Sequence, residues 1–187
     1  MVKRKACIFI SGSGTNLRSI IKNSRDYNFP VNINLVISNK KNVKGIYFAK
    51  KFSIPYIVLD FKKEKFEKKA IKELLDRKID LVCLAGFMKI LSKSFIRNFK
   101  GKIINIHPSL LPKYKGLNTF KRILKAKEKI TGCTVHHVDE KLDNGKIIIK
   151  RRVQISNDET PENLKKKVQL EEYKAYSIAI RRIYSSI

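Results

Sequence analysis

Acidic residues are few in this chain. Asp and Glu number 16 against 42 Lys and Arg over 187 residues, a formal charge of +26. No apolar stretch approaches the roughly 20 residues that a bilayer span requires, so no membrane partner is expected. A secretory leader is not expected either. The apolar run Ala6–Ile10 behind Lys3-Arg4-Lys5 is short, and a glycine-rich turn follows it instead of a cleavage site. The expected compartment is therefore the cytoplasm. Cys7, Cys83 and Cys133 form no Cys-x-x-Cys pair and each lies in an apolar run. They read as buried reduced thiols rather than metal ligands or disulfides. No basic tail and no RNA-binding aromatic signature accompanies the lysines, which are spread along the chain with short clusters at Lys62–Lys69 and Lys165–Lys167. A field of this sign attracts nucleic acid, phosphorylated metabolites or anionic lipid. The dispersal reads as a solvated basic surface, so nucleic acid is not an expected partner.

With 43% hydrophobic and 31% charged residues, the chain has the composition of a folded protein. Its length suits one domain spanning residues 1–187. Strand-like runs at Lys5–Ile10, Asn32–Ser38, Tyr56–Leu59, Leu81–Ala85 and Lys102–His107 alternate with helical patterns at Asn16–Asn23, Lys44–Phe52, Lys63–Arg77 and Ser92–Asn98. In Lys63–Arg77 the set Phe66, Ala70, Ile71, Leu74 and Leu75 forms an amphipathic stripe. This alternation predicts an α/β fold: a Rossmann-like, mostly parallel twisted sheet with helices on both faces. After a helix near Thr119–Ala126, strands at Gly132–Val138 and Lys146–Ile155 predict an antiparallel C-terminal extension. A closing helix runs from Pro161 to about Tyr184, with Thr160 as its N-cap.

Three segments carry candidate chemistry. The first strand ends in Ser11-Gly12-Ser13-Gly14-Thr15-Asn16 and a helix follows. Exposed amides at a helix start favour an anion. No Gly-Lys-Ser/Thr closes the loop, and Leu17 stands where a dinucleotide fingerprint has its third glycine, so a monophosphate fits better than a pyrophosphate. In Asn105-Ile106-His107, strand alternation puts Asn105 and His107 on one face and Ile106 in the core, with Pro108 and Pro112 ending the strand. The acidic turn Asp139–Gly145 ends in Asn144-Gly145, a hairpin signal. Its Asp143 can supply the anion that orients His107 and favours the cationic ring. His136 and His137 alternate sides of one strand, with no third ligand spaced for a metal. The apolar Met88-Lys89-Ile90-Leu91 follows a central strand, where a ligand pocket can be lined.

Ser11–Asn16, Ser38-Asn39-Lys40, Ala85–Leu91, Asn105–Tyr114, Gly132–His136, Leu142–Gly145 and Val168–Glu172, taken together and in register, resemble the phosphoribosylglycinamide formyltransferase family over essentially the whole chain. That resemblance implies transfer of the formyl group of 10-formyltetrahydrofolate, a co-substrate, to the amine of 5-phosphoribosylglycinamide in de novo purine biosynthesis, without a metal. It also implies roles by position. Asn105, His107 and Asp143 match the catalytic residues. Gly12, Ser13, Gly14, Thr15, Asn16 and Glu172 match the ribotide site. Lys63, Met88, Lys89, Ile90, Leu91 and Asn105 match the folate site. It divides the domain into a phosphate-binding N-terminal half and a folate-binding, catalytic C-terminal half. The chain departs from the usual pattern at Lys63, Lys115, Asn118 and Asn144, where the family often has Arg, Pro, His and Gly. Methionyl-tRNA formyltransferase and formyltetrahydrofolate hydrolase share part of this pattern and are the alternative activities. The first ordinarily has an added C-terminal domain, and the second an added N-terminal domain and a His in place of Pro108.

Overall fold

The computed structural model describes residues 2–60 and 63–184. Along the chain the elements are β1 (Arg4–Ile10), α1 (Thr15–Ser24), β2 (Val31–Ser38), α2 (Lys44–Lys51), β3 (Tyr56–Val58), α3 (Lys63–Asp76), β4 (Leu81–Leu84), α4 (Lys93–Asn98), β5 (Lys102–His107), α5 (Thr119–Lys125), β6 (Ile130–His137), β7 (Ile147–Gln154) and α6 (Pro161–Tyr184). Hydrogen bonding orders the strands β3-β2-β1-β4-β5-β6-β7 in one sheet. β1 pairs in parallel with β2 and with β4, and β2 with β3, whereas β6 and β7 are antiparallel. The α/β sheet with an antiparallel extension matches the sequence expectation, and element ends shift by only a few residues.

The chain forms two compact units. One contains the described residues up to Ile104 together with Tyr184; the other is Asn105–Ile183. In the first, β1 is buried from Ala6 to Ile10. Phe9 is the hub, with edge-on contacts to Phe66 of α3, Phe87 and Phe95 of α4 at centroid distances of 6.0, 5.4 and 6.1 Å. Phe66 and Phe87 stack at 5.7 Å. These rings tie the segment after β4 to the core. In the second unit, Leu164, Val168, Ala175, Tyr176, Ala179 and Ile180 of α6 are buried. Thr160 caps α6, its Oγ1 accepting from the Asn163 amide at 3.2 Å, and Pro161 opens the helix as expected.

One sequence expectation changes. The stripe on α3 is narrower than the periodicity implied: Phe66, Ala70 and Leu74 are buried, but Leu75 is 54% exposed. The i, i+4, i+8 row already fills the contact, and Leu75 lies about 100° further round the helix. The link between β6 and β7 is the acidic turn expected. β6 and β7 are joined by residues 138–146, and the left-handed residue is Asp143, at φ 47°. No described helix is long and apolar enough to cross a membrane.

Candidate active site

Asn105 and His107 stand at the carboxyl end of β5, one residue apart and on the same side, as strand alternation requires. The turn after β6 brings Asp143 to both. Its Oδ2 lies 3.3 Å from His107 Nδ1 and its Oδ1 lies 3.4 Å from Asn105 Nδ2. His107 and Asp143 are each under 10% exposed, so their attraction is not diluted by water. The other ring nitrogen of His107, Nε2, lies 2.8 Å from the backbone oxygen of Tyr114. Both nitrogens therefore face acceptors, an arrangement that a doubly protonated ring satisfies.

The loop from Tyr114 to Asn118 holds both partners of this pair. While Tyr114 O engages His107, the Gly116 amide donates to Asp143 Oδ2 at 2.9 Å. Arg122 secures the loop from behind, donating to Lys115 O at 2.6 Å and lying over the Tyr114 ring. Two of the departures from the family pattern meet here: Lys115 Nζ donates to Asn144 Oδ1 at 2.9 Å. Asn118, a third, takes the left-handed conformation at φ 56°, which Asn tolerates better than most residues. The strand exit is equally fixed. Thr134 Oγ1, buried on β6, donates to Ser109 O at 2.7 Å and accepts from the Leu111 amide at 3.1 Å.

His136 joins the trio, a place that its sequence gave no means to separate from His137. It is buried on β6, with Nε2 at 3.3 Å from Asn105 Nδ2 and 3.8 Å from Asp143 Oδ1. Burial holds its pKa below the ordinary imidazole value. No local signal separated the two, because β6 is buried at every position from Thr131 to His136.

The other expected site residues fall in several places. Gly14, at φ 67°, is the N-cap of α1, and among the described residues no side chain caps that helix. A Cβ on Gly14 would lie 2.4 Å from Gly45 Cα, and the Gly45 amide donates to Gly12 O at 3.0 Å. The loop is thus shaped by Gly45, which lies 31 positions beyond Gly14 and which no local pattern ties to it. Within the loop Asn16 is buried, Thr15 half-buried and Ser13 exposed. Ser11 reaches across instead, its Oγ accepting from the Met88 amide at 2.8 Å. In the 88–91 segment Met88, Lys89 and Ile90 are exposed and Leu91 is buried. Lys63 begins α3, and its side chain lies outside the described residues. Glu172 is half-buried on α6 and pushes the pKa of buried Cys133 upward, second to burial itself, to about 12. Its neighbour Glu171 is bound to Arg151 and Lys174, both at 2.7 Å. All three cysteines are buried, and none forms a disulfide among the described residues.

Strand order and polar cluster define the class: an α/β domain that gathers an amide, two imidazoles and a carboxylate at the carboxyl end of β5. The formyl transferase family model matches residues 4–180. The chain is 40% identical to phosphoribosylglycinamide formyltransferase of Haemophilus influenzae, over 95% of this chain and 86% of that protein. It is also 40% identical to the trifunctional purine biosynthetic protein adenosine-3 of Gallus gallus, but spans only 19% of that protein's length. Among solved structures, phosphoribosylglycinamide formyltransferase from Brucella melitensis superposes with a TM-score of 0.94 at 36% identity, covering all of this chain and 98% of that one. The chain belongs to the formyl transferase family.

Proposed function

We propose that this chain moves the formyl group of 10-formyltetrahydrofolate to the amine of 5-phosphoribosylglycinamide, yielding formylglycinamide ribotide and tetrahydrofolate in purine biosynthesis. The observation that carries this reading is the Asn105–His107–Asp143 cluster, with contacts of 3.3 and 3.4 Å to one carboxylate, in a chain similar over nearly its whole length to proteins of that name. The amine attacks the formyl carbon and a carbon–nitrogen bond forms. The carbonyl oxygen becomes an oxyanion, which the Asn105 amide and the His107 ring stabilise as hydrogen-bond donors. Asp143 holds the ring and helps pass the proton between the two nitrogens. The attacking nitrogen loses a proton and the leaving folate nitrogen gains one as its bond to carbon breaks.

By position, Gly12–Asn16 hold the ribotide phosphate and Glu172 its sugar hydroxyls. The uncapped start of α1 suits the first role, because backbone amides and the helix dipole both favour an anion there. Met88, Lys89, Ile90 and Leu91, with Lys63, contact the folate. The enzyme works as a single catalytic domain in the cytoplasm, its phosphate-binding residues in the N-terminal half and its catalytic residues in the C-terminal half. It needs no metal, no membrane and no nucleic acid. The test is a folate-release assay with and without the ribotide. Release that requires the ribotide supports the transferase, release without it supports a hydrolase, and release that requires initiator tRNA supports the tRNA enzyme.

A further inference from the structure

His136 is a buried titratable group beside the proposed catalytic residues that the chemistry does not use. Its Nδ1 lies 2.8 Å from the backbone oxygen of His137. A carbonyl oxygen only accepts, so Nδ1 carries a proton. The turn is built around this carbonyl: a Cβ on Gly145 would lie 1.8 Å from the same oxygen, so only glycine lets the chain pass. Burial favours the neutral ring. The His137 bond and the negative charges of Asp143 and Asp139 oppose that preference, and the positive charge of His107 reinforces it, with the balance downward. A neutral ring protonated at Nδ1 leaves Nε2 as a bare acceptor.

That lone pair faces the Asn105 amide at 3.3 Å, with Asp143 Oδ1 at 3.8 Å. Both neighbours of the amide on this side are acceptors. Only its NH2 edge can satisfy them, one proton toward His136 and the other toward Asp143 Oδ1 at 3.4 Å. A flipped amide would set Oδ1 against a lone pair and a carboxylate. At 3.3 and 3.4 Å both are long, weak hydrogen bonds, which bias the amide's orientation and leave an N–H able to turn to a closer acceptor.

We infer that His136 is a positioning residue: as the Nδ1–H tautomer it sets the orientation of the Asn105 amide, holding the donor edge beside Asp143 and His107. Its consequence for catalysis rests on the formyl-transfer reading above; its consequence for Asn105 does not. With the donor edge fixed before substrate arrives, an N–H is in place where negative charge develops.

Two substitutions separate this role from packing. His136→Leu keeps apolar volume and removes the acceptor, whereas His136→Gln returns an acceptor of similar reach. In His136→Leu we expect kcat to fall about 10- to 100-fold, less than the loss of an oxyanion donor outright, with the Michaelis constant for the ribotide little changed. His136→Gln should recover most of that loss. The same variants are read by 15N NMR without substrate. Wild-type protein should show His136 with a proton on Nδ1 and none on Nε2, and two distinct, slowly exchanging Asn105 amide protons. In His136→Leu those two signals should merge. An Nε2-protonated neutral ring, or Asn105 signals unchanged in His136→Leu, would overturn the inference. Equal losses in both variants with a lowered melting point would do so too, since that is the pattern of a packing residue. If wild-type protein failed to transfer formyl groups, the functional reading would fall while the NMR comparison still decided what orients Asn105.

Discussion

His107 shows how much one buried ring can be asked to do. With Asp143 on one nitrogen and the Tyr114 carbonyl on the other, its position is fixed before any substrate binds. Replacing it with Ala, or Asp143 with Asn, should lower turnover by about two to four orders of magnitude, the range of general acid–base and oxyanion groups. Circular dichroism and the melting point should stay near those of the parent. Near-normal turnover in either variant would remove that residue from the mechanism. His136 gives a second residue-level prediction. Its folded pKa lies below the ordinary value, so the unfolded chain binds the extra proton first. The stability it contributes is complete above the unfolded pKa, near 6.5, and is lost as pH falls through the folded value. Thermal melts should show this loss in wild type and a weaker one in His136→Gln. The Asn105–His107 spacing was legible from alternation alone. Asp143 was legible only as a carboxylate that the imidazole needed, because nothing local says that an acidic turn folds inward. His136 was not legible, since its role depends on contacts to residues 31 positions earlier and 7 later.

At the scale of elements, the Gly12–Asn16 loop and the phenylalanine cluster make separable predictions. A side chain on Gly12 would meet nothing within 4 Å, whereas one on Gly45 would come within 2.5 Å of Ile10 Cδ1 and 3.2 Å of Gly12 O. Gly12→Val should therefore leave the melting point nearly unchanged and raise the Michaelis constant for the ribotide, by about tenfold if one or more amide contacts to phosphate are lost. Gly45→Val should damage folding itself. An unchanged Michaelis constant in Gly12→Val would argue against the loop as the phosphate site. Phe9→Ala empties the hub of four aromatic rings and should cost about 3–5 kcal/mol in denaturant melts. The described helices and strands were legible because short apolar runs alternate with helical patterns up to α5 and two further strand-like runs precede the closing helix. The connection from β6 to β7 was legible as an acidic turn, but its inward course was not. Asn-Gly usually closes a tight hairpin, but here Asp143 takes the left-handed position and Gly145 clears the His137 carbonyl. The exposure of Leu75 was likewise invisible to a pattern that counts apolar residues without the width of the contact.

For the molecule as a whole, the +26 charge should act on capture rather than on chemistry. On the proposed function a phosphorylated acceptor would be drawn in by the field, and salt would screen it. kcat/KM for the ribotide should fall by about threefold or more as ionic strength rises from ~0.02 to ~0.5 M, while kcat changes little. A flat kcat/KM would mean that the charge plays no part in encounter. The most direct measurement of the central claim is tetrahydrofolate release from 10-formyltetrahydrofolate by the purified protein, with and without phosphoribosylglycinamide. Release that depends on the ribotide, with formylglycinamide ribotide recovered in equal amount, is the expected result. Release independent of the ribotide, or none with it present, would contradict the proposed function.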